Sequence, residues 1–198
     1  DADLALCALG QRLCVKDTFH PTRVGVFFGK PGEVDQDPYF SGEGPERAGC
    51  MLCGGCMVGC RHNAKNTLDK NYLFFAEKWE AKIFAQLTAD RITSLGREGY
   101  LVETVQSTSW LRKKGPSVMA KRVVCAAGVL GTMELLLKNK YHYKTLPDIS
   151  EKLGESIRTN GESLLGATSF SADRDFSYGV AIGSAIHPDG ETKIEAVR

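Results

Sequence analysis

The chain has 198 residues, with 25 Lys and Arg side chains against 24 Asp and Glu, so its formal net charge is +1. This balance provides no broad basic surface, which argues against nucleic acid or an anionic membrane as the main partner. The mean hydropathy is −0.20. No apolar run reaches the roughly 18 residues that a transmembrane segment needs. The length allows a sizeable core in one domain or in parts of two.

The first 78 residues are predicted to contain two helices around a long loop. Apolar residues at helical spacing predict a helix over 2–13, and 24–28 is typical of a short buried strand. Residues 29–49 are rich in Gly, Pro, Asp and Glu, which predicts a loop excursion. A second helix of about three turns is predicted over 68–78, with asparagine and threonine N-caps before it.

Strand patterns dominate the rest of the chain. Strands are predicted at 82–87 and 91–95, and the segment 90–122 is predicted to form a small antiparallel meander. Near the end, short strands joined by turns are predicted at 168–172, 180–186 and 193–197, with His187-Pro188-Asp189-Gly190 as a hairpin turn.

Four of the seven cysteines lie in one short loop with the spacing C-x-x-C-x-x-C-x-x-x-C. They are Cys50, Cys53, Cys56 and Cys60, and the glycines between them allow the backbone to curl around a small object. Structural zinc sites usually take two separated pairs of ligands, and no second pair is present in the sequence. Consecutive cysteines in one loop can reach different irons of a cluster, so the spacing favours a [4Fe-4S] or [3Fe-4S] cluster.

The cysteine spacing leaves several alternatives open. Arg61 stands where the bacterial ferredoxin motif has proline, and Cys60 either completes the cluster or leaves it to a distant ligand or a three-iron form. The same thiols would otherwise bind zinc, or no metal, as buried or disulfide-bonded cysteines. Because the cysteines are too few for a disulfide scaffold, we expect a reducing compartment, the cytoplasm.

A strand, a glycine turn and a helix form a second motif. Residues 123–127 are continuously apolar, Gly128 and Gly131 follow, and 132–138 has helical spacing. Small residues at such a turn allow the backbone to approach a bound nucleotide, because a Cβ would collide with it. The alternative is a tight turn between a buried strand and the helix that packs on it.

Two stretches, from His62 to Leu73 and from Ala126 to Leu136, are followed in order by Leu146-Pro147, Leu153-Gly154 and Asn160-Gly161. Together they resemble the cholesterol oxidase branch of the glucose-methanol-choline (GMC) FAD-dependent oxidoreductases, over roughly residues 50–165. The resemblance implies a mixed α/β fold. A Rossmann-like FAD-binding domain would be joined to part of a substrate domain built on an antiparallel sheet.

The resemblance also implies a domain assignment and a set of flavin contacts. The chain would be the central part of a longer enzyme, in which residues 61–161 belong to the FAD-binding domain. Residues 1–49 and 162–198 would belong to the substrate domain, with the cysteine loop at 50–60. The residues expected to lie against FAD are Ala89, Ala127, Gly128, Leu130 and Gly131.

The activity implied by the resemblance is oxidation of a CH-OH group of a small sterol-like or sugar-like alcohol, with FAD taking up the hydride. Some FAD sugar dehydrogenases of the superfamily look similar at the cysteine loop and carry an iron-sulfur cluster that relays electrons. The resemblance therefore implies a relay here and an electron acceptor protein as a partner. A non-catalytic iron-sulfur or zinc binding module is the alternative function.

Two features of the family have no counterpart in this sequence. The G-x-G-x-x-G motif that holds the pyrophosphate is missing, and no catalytic histidine motif is present. We expect none of the four histidines to be catalytic, because lone histidines are more often surface or hydrogen-bonded residues. We therefore predict no catalytic residue within the chain and no activity from residues 1–198 alone. The four are His20, His62, His142 and His187.

Overall fold

A computed structural model describes residues 1–171, 173 and 175–198. Within these residues the chain combines three α-helices with eight strands, and every pair of these strands is antiparallel. In chain order the elements are α1 (Ala2–Arg12), β1 (His20–Pro21), β2 (Val34–Asp35), β3 (Arg47–Ala48), α2 (Tyr72–Lys78), β4 (Leu87–Ser94), β5 (Tyr100–Gln106), β6 (Lys114–Ala120), α3 (Gly128–Leu137), β7 (Ile182–Ile186) and β8 (Ile194–Val197). The mixed α/β class predicted from the sequence is confirmed.

The elements pack as two compact units, one of residues 1–82 and 167–198 and the other of residues 83–166. These units are defined by packing alone, so the assignment of segments to an FAD-binding and a substrate domain stays a prediction. Among the helices of the described residues, none is both long enough and apolar enough to cross a membrane.

The core of the first unit is a three-stranded sheet in the order β1-β7-β8, with α1 packed on it. Ala185 and Ile186 on β7 are fully buried, and Leu6 on α1 is 5% exposed. The carboxylate of Asp3 accepts hydrogen bonds from Ser184 Oγ at 2.6 Å and from the Arg198 guanidinium, which ties the start of α1 to this sheet. The predicted first helix and the C-terminal hairpin are therefore confirmed.

The strand predicted at 24–28 does not form. Val26 makes one isolated bridge to Lys65, and Phe27 N–H donates to Ala64 O at 2.8 Å. The pairing cannot extend because the chain turns at residues 66–67 into a 3-10 turn, Leu68–Lys70. The helix predicted over 68–78 is shortened to α2, because residues 68–70 form this 3-10 turn instead. Asn71 has non-helical backbone angles and caps α2, its side chain accepting from Tyr72 N–H at 2.5 Å.

The second unit is built around the three-stranded antiparallel meander β4-β5-β6, as predicted. Its register pairs Ile92 with Val102 and Val102 with Val118, with an irregularity between Ala89 and Arg91. The strand predicted at 91–95 forms part of β4, whereas the strand predicted at 82–87 does not form, because β4 begins only at Leu87. The chain turns at Gln86, where φ is +60°, so the segment before it cannot continue the ladder.

The apolar run at 123–127 forms no strand in the described part of the chain, and Val124 is 88% exposed. A continuous apolar strand needs neighbours on both sides to satisfy its backbone groups, and no described strand lies beside this run. The helix begins at Gly128, earlier than predicted, and continues into a π-helical turn, Lys138–His142. The strand predicted at 168–172 reaches residue 172, which lies outside the described residues, and 168–171 carry no strand.

Candidate functional site

The cysteine loop is closed by glycines whose backbone conformation other residues rarely adopt. Gly54 has φ +67° and Gly59 has φ +102°. A Cβ on Gly54 would lie 2.0 Å from Ser177 O, so this close approach admits only glycine. Gly54 N–H donates to Gly179 O, and Gly179 N–H donates to Leu52 O, both at 2.8 Å. The loop is thereby fastened to the segment before β7.

The structure brings all four predicted metal ligands to one cavity. Cys50 is buried and the other three cysteines are half-buried. His62 and Lys65 also line this cavity, whose volume is about 10 Å³. That volume is about the space occupied by one water molecule. The four cysteines thus share one cavity, and their role as metal ligands stays a prediction.

The residues fit an iron-sulfur cluster in donor chemistry but not in the arrangement they adopt. Four thiols around one cavity are the donor set that such clusters require. The cavity, however, is much smaller than a cluster of several irons and sulfides. Among the described residues, no group of three or more His, Cys, Asp or Glu side chains is arranged to hold a metal ion. Cluster binding would therefore require the loop to rearrange.

Cys60 is the cysteine whose environment most favours the thiolate. Burial raises the pKa of this thiol, but hydrogen bonds from the backbone amides of Ala64, Lys65 and His62, with the charge of Lys70, lower it further than burial raises it. The Ala64 N–H donates to Cys60 Sγ at 3.3 Å. Thiolates are the form that binds metals and attacks electrophiles, so Cys60 is prepared for either role.

Two basic residues beside the loop were not identified from the sequence. Lys65 Nζ donates to Cys56 O at 2.7 Å. The guanidinium of Arg47 is fully buried and donates to Asn66 Oδ1 at 2.8 Å and to the Lys70 carbonyl at 2.7 Å. Within the described residues Arg47 has no carboxylate partner and its Nε has no acceptor. No sequence pattern indicates such a burial, because arginine is usually exposed.

The glycine turn at the start of α3 opens onto a groove of about 470 Å³, which we call the α3 groove. Gly128 has φ +72°, and a Cβ built there would meet no atom within 4 Å. The turn is held by Ala127 N–H, which donates to Thr132 Oγ1 at 3.1 Å. A flat or anionic group can therefore approach the backbone at the N-terminus of α3 without a steric barrier.

The five residues predicted to contact FAD are not gathered at this groove. Gly128 lines it, while Ala127 and Gly131 flank that glycine without lining the groove. Leu130 is 81% exposed, and Ala89 lies on β4, outside the groove. Arg158, which also lines the α3 groove, was not identified from the sequence, because it belongs to no recognisable motif.

Comparison with known proteins identifies the family. The family profile described as GMC oxidoreductase matches residues 45–153. Over its whole length the chain is 48% identical to a cholesterol oxidase from Acinetobacter baumannii, of which it covers 37%, and 44% identical to a cholesterol oxidase from Mycobacterium tuberculosis, of which it covers 35%. The chain thus spans little more than a third of these curated relatives. None of the solved structures matches it.

The match includes the cysteine loop, the meander and the glycine turn, because residues 45–153 contain all three. The resemblance seen in the sequence motifs is thereby confirmed over more than half of the chain. This chain belongs to the GMC oxidoreductase family.

Proposed function

We propose that the full-length protein is an FAD-dependent oxidoreductase that oxidises the CH-OH group of a sterol-like alcohol. The observation that carries this proposal is the identity of 48% to a protein named cholesterol oxidase, which extends over the entire chain. Family membership supports the oxidoreductase class, and the relatives' names support the substrate class. A sugar-like alcohol is the second substrate class, as implied by the resemblance to sugar dehydrogenases.

We assign the α3 groove to part of the FAD site. When bound, FAD accepts the hydride that leaves the alcohol carbon. The chain's own contribution is positional: Gly128 keeps a side chain away from the flavin, and Thr132 fixes the turn through Ala127 N–H. The amides at the start of α3 and the Arg158 side chain would provide positive potential for the pyrophosphate, partly offset by Glu155, which also lines the groove. Ala89, Leu130 and Gly131 stay proposed contacts of the same cofactor.

The four thiols of the cysteine loop are proposed ligands of a [4Fe-4S] or [3Fe-4S] cluster. The ligand spacing and the shared cavity support this proposal, and the small volume of that cavity requires the loop to open on binding. When bound, such a cluster supplies single-electron transfer, which suits delivery of electrons from a flavin to an acceptor protein. Lys65, which lines the cavity, and Lys70, whose charge acts on Cys60, would then offset the negative charge of the thiolates.

Two further expectations belong to this proposal. We propose that residues 1–198 alone bind FAD weakly and oxidise no alcohol, because the sequence contains neither the G-x-G-x-x-G motif nor a catalytic histidine motif. We also propose a reducing compartment, the cytoplasm. It is supported by the seven cysteines, all of which are free thiols in the structure.

The enzymatic proposal is tested by steady-state assays of the full-length protein with cholesterol, a sugar alcohol and a simple primary alcohol. Dye reduction and peroxide formation are measured side by side, because they distinguish transfer to an external acceptor from transfer to oxygen. We expect cholesterol to be oxidised with the highest kcat/KM. Absence of turnover with all three alcohols, by flavin-loaded protein, would contradict the proposed substrate class.

A further inference from the structure

A second groove lies in the unit of residues 83–166, on the meander, and we call it the meander groove. Its volume is about 320 Å³, within the usual range of small-ligand pockets of about 300 to 1,000 Å³. Its walls carry three basic side chains, together with a tyrosine, a histidine and a serine. None of the five residues assigned to FAD lines it. The six side chains are Arg91, Arg112, Lys114, Tyr143, His142 and Ser117.

The two carboxylates of the meander groove are already occupied by donors from the protein. Asp90 accepts from Lys138 Nζ at 2.6 Å and from Tyr143 OH at 3.0 Å, and it is ion-paired with Arg112. Glu103 lies 3.5 Å from Arg91 Nη1. Counting Lys138, four basic side chains meet two carboxylates, so the cluster retains an excess of positive charge.

Two basic side chains of the groove carry a nitrogen without a partner among the described residues. The Arg91 guanidinium carbon lies over the Tyr143 ring, 4.2 Å from its centroid, and in the described residues its buried Nε has no hydrogen-bond acceptor. Lys114 has no carboxylate within ion-pair distance among those residues. Since Arg91 Nε is itself shielded, a bound anion would meet the exposed part of the Arg91 guanidinium and the exposed Lys114 amine.

We propose that the meander groove binds a phosphate monoester. Such a group carries nearly two negative charges and three strong acceptor oxygens, which matches the excess positive charge of the groove and the basic side chains of Arg91 and Lys114 that line it. The phosphate comes from a soluble metabolite or from the headgroup of a lipid such as phosphatidic acid. The proposal does not depend on the proposed oxidation reaction, because it uses no residue assigned to FAD.

The test measures binding of glycerol 3-phosphate by calorimetry, and of vesicles with and without phosphatidic acid by cosedimentation, using the full-length protein at low salt. Low salt is needed because exposed charges are screened within about 10 Å at 0.1 M. The variant is Lys114→Gln, and Lys113→Gln is its matched control, since Lys113 does not line the groove. Arg91→Gln is a second variant, with circular dichroism to check its fold.

We expect Lys114→Gln and Arg91→Gln each to raise the Kd about tenfold, as loss of one charge-assisted hydrogen bond does, while Lys113→Gln changes it less than about twofold. Binding of glycerol 3-phosphate with this pattern supports a soluble ester, and binding of phosphatidic acid vesicles alone supports a lipid headgroup. Absence of binding to both probes, or equal losses in Lys113→Gln and Lys114→Gln, would overturn the proposal.

Discussion

Asn139 Oδ1 accepts a hydrogen bond from the backbone N–H of Ile92 at 2.7 Å, although the two residues are 47 positions apart. The same oxygen accepts from Thr145 Oγ1 at 2.9 Å, and Asn139 Nδ2 donates to Leu135 O at 2.8 Å. Asn139 is fully buried, beside the irregularity at Asp90 in β4. This one amide therefore joins the end of α3 to the edge of the meander.

We predict that Asn139→Ala destabilises the protein by roughly 1 to 3 kcal/mol, because the buried Ile92 N–H loses its acceptor. Urea unfolding monitored by circular dichroism measures the loss. Asn160→Ala is the matched control, since Asn160 is exposed. Equal unfolding midpoints for wild type and Asn139→Ala would show that the amide does not hold the two elements together.

The second prediction concerns how the stability of the protein responds to acid through the Asp37 carboxylate. Burial raises the pKa of Asp37, but backbone amides of Gly44, Tyr39, Phe40 and Gly42 lower it more strongly, to about 2. Because the pKa of Asp37 is lower in the folded state, its ionised carboxylate stabilises the fold at pH values above its unfolded pKa of about 4. This stabilisation is lost as the pH falls through its folded pKa.

Between about pH 4 and pH 2, wild-type stability should therefore fall with a steeper slope than that of Asp37→Asn. Urea midpoints measured across this window give both slopes. Asp35→Asn is the control, because Asp35 is an exposed carboxylate on β2. A slope for Asp37→Asn that equals the wild-type slope would mean that the loop around residues 37–44 does not depend on this carboxylate.

The third prediction concerns the glycine turn at α3. Gly128→Val should lower the flavin content of the full-length protein, because the added side chain would enter the open space of the α3 groove. Gly96→Val is a closely matched control: Gly96 also has positive φ, +62°, with nothing within 4 Å of its Cβ position. Both substitutions should cost about 1 to 2 kcal/mol of backbone strain.

Flavin absorbance per chain, measured on folded protein, separates the two variants. We expect flavin loss in Gly128→Val and normal flavin content in Gly96→Val. If both variants retain the cofactor, the glycine turn at Gly128 has only a structural role, as a tight turn before α3.

The fourth prediction concerns the cysteine loop. Full-length protein purified without oxygen should be brown and contain about three or four iron atoms per chain. Cys53→Ser and Cys56→Ser should each remove the colour. Cys14→Ser, at an exposed thiol outside the cysteine loop, should keep it. Retention of colour by Cys60→Ser would identify a three-iron cluster that needs only the first three thiols.

Metal analysis of the same samples tests the alternatives. One zinc per chain in a colourless protein would replace the iron-sulfur assignment, since zinc has no visible absorption and no redox activity. Protein free of both metals, prepared with adequate iron and sulfide, would return the four cysteines to a structural role. That result would also agree with the small cavity that they line.

The sequence predicted the parts of the fold that depend on local signals. Apolar spacing gave α1, and the turn at Gly96–Gly99 with alternating side chains gave the meander. The strands predicted at 24–28 and 123–127 do not form. A strand requires a partner strand beside it, and the residues of an apolar run alone do not specify that partner.

The candidate site, like the fold, could be predicted only where its residues lie close together in the sequence. The C-x-x-C spacing singled out four cysteines, and all four line one cavity in the structure, while their binding of a metal stays a prediction. Buried Arg47 and the donors around Asp90 escaped prediction. Their roles depend on residues distant in sequence, such as Lys70 for Arg47, and Lys138 and Tyr143 for Asp90.

The central claim, that the full-length protein is a flavoprotein that oxidises a sterol-like alcohol, is tested most directly by its visible absorption spectrum before and after anaerobic addition of cholesterol. The account predicts a bound flavin whose absorption band is bleached by the alcohol, because hydride transfer reduces the flavin when oxygen is absent. Purified full-length protein without flavin, or with a flavin band that cholesterol leaves unchanged, would contradict it.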